Sequence, residues 1–397
     1  MLDSFPISTC RWLDWLFRLA SADFFSGVGR MTNLATAQQL APSNLQLPVS
    51  AYFDAELFQK ELRLLFAQGP NYVGHELMVP EIGSYQTLRN ENEGRVLVRN
   101  ETGIELLSNV CRHRQAIMLN GRGHVQNITC PLHRWTYDLN GELLGAPHFG
   151  DNPCLNLNKS PLQNWQGLLF NGKRDVYKDL ANLGVKDQLN FDGYLLDHVE
   201  IHDCNYNWKT FIEVYLEDYH VGPFHPGLGQ FVTCDDLSWE FGNWHSVQTV
   251  GLNNQLKKPG SSVYSKWHEA VLRHHKGKLP KFGAIWLTYY PNVMVEWYPG
   301  VLCISTLQPI SPTQTRNVVE FYYPEEIVWF EREFIEAERA AYMETCIEDD
   351  EIAHRMDAGR AALLARGENE VGPYQSPMED GMQHFHEWYR NTLNQKI

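Results

Sequence analysis

The stretch CRHRQAIMLNGRGHVQNITCPLHRW at 111–135 sets two cysteines and two histidines in matched pairs, Cys111 with His113 and Cys130 with His133. Two tight loops supplying two thiols and two imidazoles form an N/S donor set that suits zinc or an iron–sulfur centre. The surroundings limit the fold that can carry such loops. From Tyr72 to about Arg174, short β-rich runs such as RVLVRN and IELLSNV alternate with Asn-Glu-Gly, Asn-Gly-Arg-Gly and Leu-Asn-Gly-Glu turns, the pattern of a small all-β domain.

Zinc is the plainer reading of the four residues. Against it, each loop mixes one Cys with one His, where zinc modules more often pair like with like, and Pro131 stiffens the second loop. In a Rieske [2Fe-2S] centre, two cysteines hold one iron and two histidines the other. His124 and His148 have no loop partner at ligand spacing and read as ordinary loop residues.

At 397 residues the chain exceeds what one core usually supports, which predicts two domains. A formal charge of -15 argues against nucleic-acid or anionic-membrane partners. Eight cysteines spread thinly do not make a disulfide scaffold, and no apolar run reaches the roughly 18 residues of a membrane span, so the reading is a reducing, cytoplasmic setting. The first 30 residues open acidic, without the basic lead of a secretory signal, and Met31 offers a second start. Residues 1–48 are therefore expected to be a poorly ordered extension. The first domain is placed at 49–178, led by a helix over DAELFQKELRLLFAQG with Asp54 as N-cap and Gly69-Pro70 as its stop; the second is placed at 179–397.

The second domain reads as α+β. Strands AIWLTYY, VMVEWY, VLCISTLQP and RNVVEFYYP precede a charged helical pattern from Glu325 to about Arg366, which predicts one or two helices. In NWKTFIEVYLEDYHVGPFHPG (207–227), His220 and His225 would point about 140° apart on one continuous helix. A helix that ends at Gly222-Pro223 would leave His220 in its last turn and let His225 fold back. Two histidines and a carboxylate on one face of a metal, with open positions opposite, are the donor set of a non-haem Fe(II) oxygenase.

CRHR and CPLHRW, with YFDAELFQKELRLLF, YVGHELMVPEIGSY, YDLNGELLGAPHF and NWK around them, resemble Rieske non-haem iron oxygenase large (alpha) subunits from about Tyr52 to the C-terminus. The resemblance implies an α+β chain: a Rieske domain followed by a helix-grip catalytic domain, in which an antiparallel sheet holds a long helix. It implies Cys111 and Cys130 on the inner iron, His113 and His133 on the outer iron, Trp135 as a packing wall and Gly145-Ala146-Pro147 as a covering loop. CIEDDEIAHRMDAGR (346–360) looks like the family's acidic segment, in which an Asp precedes a Gly by ten residues; this selects Asp349 as the third mononuclear-iron ligand and leaves Asp350 on a solvated face. Glu217 resembles the bridging carboxylate of the choline and carnitine monooxygenase branch, joining a cluster histidine of one subunit to an iron-ligating histidine of the next, with Asp218 as the alternative. Val214 departs from relatives that carry Asn beside Glu213.

The implied activity is hydroxylation or oxidative demethylation of an aromatic compound or methylated amine, using O2 and electrons from a separate NAD(P)H-dependent reductase or ferredoxin, in a homotrimer. Trp286, Tyr289, Tyr290, Trp297 and Tyr298 are the expected pocket aromatics, suited to a ring or to a cation. The alternatives are a non-catalytic Rieske electron carrier and a zinc-binding structural protein. Respiratory-chain Rieske proteins usually carry an extra cysteine pair, where this chain has Gln115 and Leu132.

Overall fold

The computed structural model describes residues 45–88 and 93–394; what the sequence suggests for residues 1–30 lies outside them. Between Asn71 and Asn171 the chain forms short strands in three small antiparallel sheets. Val96, Val98, Leu107, Ile128, Trp135 and Tyr137 build one core there, and Cys111 and Cys130 belong to it.

The second domain is a seven-stranded antiparallel sheet. Its strands are β1 (Tyr194–Cys204), β2 (Val232–Phe241), β3 (His245–Leu252), β4 (Ala284–Tyr289), β5 (Val293–Tyr298), β6 (Val301–Ser311) and β7 (Gln314–Pro324), in the order β1-β7-β6-β5-β4-β3-β2. Strand side chains alternate between faces, so β4 splits its buried residues. Ala284 and Trp286 join the cluster on one face, and Ile285, Leu287 and Tyr289 join the other. The first face is gripped by the helix Arg332–Ala365, which follows a separate short helix, Glu325–Phe330. Phe334, Ile335, Ala337 and Ala341 bury its first turns against that face.

Two boundaries move. The helix Ala55–Glu61, capped by the Asp54 side chain on the Leu57 amide, was expected in the first domain. It packs instead in the second, where Leu57, Phe58 and Leu65 meet Trp208, Ile212, Phe385 and Tyr389. Glu61 fixes the docking: fully buried, it accepts from Lys209 Nζ (2.7 Å) and Trp208 Nε1 (2.8 Å). Removing one partner of such a pair leaves a buried charge unpaired, at a cost of about 3–5 kcal/mol. The expected extension also ends early, because Leu47, Ala51 and Tyr52 are apolar enough to be drawn into the same core and Arg390 Nη2 holds the Leu45 and Gln46 carbonyls.

Candidate active site

The two cysteine loops share one design. Cys111 N–H donates to the Ala116 carbonyl (2.9 Å) and Cys130 N–H to the Trp135 carbonyl (2.8 Å). Four residues beyond each cysteine, Gln115 (φ 55°) and Arg134 (φ 61°) turn through the left-handed region, and their amides bond back to the cysteine carbonyls. Each loop thus tucks its cysteine inward and lifts its histidine outward: both cysteines are 2% exposed, while His113 is half-buried and His133 exposed. Trp135 stacks on His113 with centroids 5.0 Å apart, and Phe149 sits edge-on to both rings. Phe149 is a wall residue that the sequence reading missed.

The second group comes together from three places. His220 Nε2 lies 2.9 Å from His225 Nε2, and Asp349 Oδ1 lies 3.5 Å and 3.0 Å from those two atoms. Donors at right angles on a metal with bonds of about 2.1 Å would stand about 3.0 Å apart, so this is the spacing of one octahedral face. Among the described residues, it is the one group of His, Cys, Asp or Glu donors that converges on a single point. Cys111, His113, Cys130 and His133 do not form such a group among the described residues, whereas four ligands on one tetrahedral zinc would. The buried Nδ1 of His113 has no hydrogen-bond partner among the described residues, and a ligated iron would satisfy it.

The route by which His220 and His225 meet differs from the expected one. The helix Trp208–Tyr215 stops at Leu216, six residues before Gly222. The chain then turns, with the Asp218 amide bonded to the Met378 carbonyl, and His220 leads a separate short helix, Val221–Phe224. Pro223 falls in the first turn of that helix, where its missing N–H costs nothing. His225 follows as the C-cap, which folds it back onto His220.

Both imidazoles are held from behind. Glu217 Oε1 bonds His220 Nδ1, and Glu348 Oε2 bonds His225 Nδ1 at 2.7 Å. Such bonds fix the tautomer that presents Nε2 to a metal. Burial works against a charged His220, but Asp349 and Glu217 outweigh it and push its pKa up to about 10. Burial likewise opposes a charged Asp349, yet the two histidines hold its carboxyl below the usual range. The group is therefore built to take a cation. Glu348 escaped the sequence reading, although its place beside Asp349, about 100° round the helix, was the available signal.

Asp350 is not on a solvated face as expected. It is partly buried and accepts from Tyr206 Oη at 2.6 Å, pointing away from the histidines. Asp218 is buried against Gln248, and burial pushes its pKa up to about 6.

A cavity of about 100 Å³ adjoins the triad and is lined by His220, His225, Asp349, Trp286, Tyr298, Tyr342 and Glu296 among others. Trp286 and Tyr298 were expected in it. Tyr289 and Trp297 lie on the opposite face by strand alternation, and Tyr290 packs against Phe385 and Trp388. Glu296 and Glu338, both buried in the wall, were not anticipated, because charged residues inside a strand or helix read as surface.

Residues 70–161 match the Rieske [2Fe-2S] domain, and residues 191–395 match the ring hydroxylating alpha subunit (catalytic domain). The chain belongs to the Rieske oxygenase alpha subunits. It is 75% identical over 364 residues to putrescine 2-hydroxylase of Ralstonia nicotianae, covering 92% of this chain and 100% of that protein. It is 27% identical to the carnitine monooxygenase oxygenase subunit of Escherichia coli, covering 86% and 91%. Among solved structures, the quaternary ammonium Rieske monooxygenase CntA with L-carnitine matches with a TM-score of 0.69 at 20% identity, covering 90% and 98%.

The Rieske oxygenase therefore carries a [2Fe-2S] cluster and a mononuclear iron, and it hydroxylates or demethylates a small organic substrate with O2. Its family generally takes electrons from a separate reductase or ferredoxin. No helix among the described residues is long and apolar enough to cross a membrane.

Proposed function

We propose that this oxygenase hydroxylates a small primary diamine of the putrescine type at a carbon next to an amine-bearing one. The observation that carries this reading is the cavity itself: carboxylates and aromatic rings line it beside the triad, and among the described residues no Lys or Arg does. Such a wall favours a cationic guest and disfavours an aromatic acid. The 75% and 59% identical relatives named putrescine 2-hydroxylase support the same choice.

Cys111, Cys130, His113 and His133 would hold the cluster, and His220, His225 and Asp349 the mononuclear iron. When bound, these centres supply O2 activation driven by electrons that arrive one at a time. The chain's own side chains do the rest. Glu217 and Glu348 keep the Nδ1 protons on His220 and His225, Trp286 and Tyr298 shield the substrate carbons from water, and the cavity carboxylates orient the amine. Glu217, whose inner contact is on His220 and whose side chain is 16% exposed, would bridge to His133 of a neighbouring subunit. A head-to-tail homotrimer in the cytoplasm, fed by a separate reductase, completes the reading.

The test is product formation from butane-1,4-diamine with a surrogate reductase and isotopically labelled O2. One labelled oxygen per product is expected, from protein holding three irons per chain. Turnover of methylated amines with none of the diamine would overturn the substrate. Two irons per chain and no O2 uptake with any amine would favour the electron carrier.

A further inference from the structure

The cavity is polarised along the long helix. Glu338, Tyr342, Cys346 and Asp349 recur at spacings of four, four and three residues, so they share one face and all line the cavity. At 1.5 Å per residue, Tyr342 stands about 10 Å and Glu338 about 16 Å along the axis from Asp349. The sheet runs the same way. Glu296 pairs with Cys303, which pairs with Phe321, and the Phe321 ring meets Tyr342 at 5.0 Å. Asn317 lies four residues back along that strand, towards Thr315. The Thr315 hydroxyl bonds the carbonyl of Tyr206, whose own hydroxyl reaches Asp350. Asn317 therefore marks the metal end, Glu296 lies further along, and Glu338, bonded to Tyr323 Oη, lies beyond it.

The hydrogen-bond partners at the far end carry no positive charge, and Arg339, whose charge acts on Glu338, is paired with Glu200 and does not line the cavity. Glu296 Oε2 accepts from Tyr298 Oη (2.8 Å), and Oε1 accepts from Ser305 Oγ (3.1 Å) and Tyr342 Oη (3.2 Å). These hydroxyls orient the carboxylate without neutralising it. Burial pushes the Glu296 carboxyl up to about 7 and that of Glu338 up to about 8, so two acids share one wall with no cation among the lining residues. At the near end, Asn317 is 4% exposed and its Oδ1 has no donor among the described residues. A buried acceptor without a donor costs stability unless a ligand supplies one.

We infer that Glu296, backed by Glu338, holds the far ammonium of a primary diamine while Asn317 Oδ1 accepts an N–H from the near one. This rests on the diamine reading above and adds which residues select for it. A primary ammonium brings three N–H donors with its charge; a trimethylammonium brings none, and leaves Asn317 unsatisfied. The wall thus separates diamines from monoamines at Glu296 and primary from quaternary amines at Asn317.

The test titrates the purified holoenzyme, without O2, with butane-1,4-diamine, butan-1-amine and choline, following the fluorescence of cavity tryptophans, and measures turnover in parallel. Wild type should prefer the diamine to the monoamine by on the order of a hundredfold, and Glu296→Gln should cut that preference by at least about tenfold in both binding and kcat/KM. Asn317→Ala should weaken diamine and monoamine by a similar factor, since both carry the near ammonium. A wild type with no diamine preference, or a Gln variant that keeps it, overturns the assignment. Should Glu296→Gln lose its cluster absorbance or iron, the wild-type preference and Glu338→Gln carry the test by the same ratio. A wild type that hydroxylates another amine but no diamine sinks the diamine reading itself, whereas diamine turnover with an unaltered preference in Glu296→Gln sinks only the role of Glu296.

Discussion

The cluster loops and the mononuclear site both rely on a pair of histidines but are put together differently. The four side chains proposed for the cluster lie between Cys111 and His133, on two loops whose turns are set by their own backbone bonds. The three proposed for the iron run from His220 to Asp349, and each depends on packing made elsewhere. The loop before His220 is anchored by Met378, while Asp349 is delivered by a helix that grips the sheet. A locally built site tolerates change in the rest of the chain; a site built from distant elements passes every packing change to its metal.

The largest effect should come from breaking one site and reading the other. Asp349→Ala is expected to weaken iron by on the order of a hundredfold or more and abolish turnover with the visible cluster spectrum intact. Cys111→Ala should lose the spectrum and leave an iron site that refills. Asp350→Ala, which removes only the Tyr206 contact, should keep both metals. Iron analysis with absorbance checks all three, and an Asp350 variant that loses iron while Asp349→Ala keeps it would move the ligand by one position.

A smaller loss is expected behind the histidines. Glu348→Gln replaces a carboxylate on His225 Nδ1, and iron affinity should fall by about 10–100-fold in a chelator competition. Unchanged affinity would show that His225 is oriented by packing alone. For Glu217→Gln, with trimer and cluster unaltered, cluster reoxidation in the presence of substrate and O2 should slow at least about tenfold by stopped flow. Normal rates there, with slow rates in Asp218→Asn, would give the bridge to Asp218 despite its burial against Gln248.

The smallest expected effect is a pH dependence. Burial raises the Glu296 carboxyl from 4.5 to about 7 in the folded chain, so folding takes up a proton. Its stability contribution is present below pH 4.5 and is lost as the pH rises through 7. Thermal stability of the diamine-free protein should therefore fall modestly over that window, and diamine should restore more of it at pH 8 than at pH 6. Glu320 is also raised to about 7 by burial but lies among Tyr72 and Tyr322 on the other face, so the Glu320 part of the fall should remain when diamine is added. Equal rescue at both pH values would detach Glu296 from the amine.

Local patterns carried much of this in the sequence. The spacing of Cys111, His113, Cys130 and His133 with their turn residues, the alternating strands from Ala284 to Pro324 and the glycine-poor run after Glu325 are each complete within a short window, and their periodicity is what selects strand or helix. The helix–Gly-Pro reading brought His220 and His225 together by a mechanism the structure replaces, since the helix ends at Leu216 and Pro223 opens a helix instead of closing one. What only tertiary structure decided lies across elements. Leu57 and Phe58 read equally well as the first domain's lead or the second domain's core, because an apolar helix face does not name its partner. Asp350 on Tyr206 and Glu296 facing Glu338 along one cavity wall were invisible for the same reason, whereas Glu348 on His225 had a local signal in its place beside Asp349. A buried carboxylate is written with the same letter as an exposed one, and only the packing of sheet against helix removes it from water and gives its charge a use.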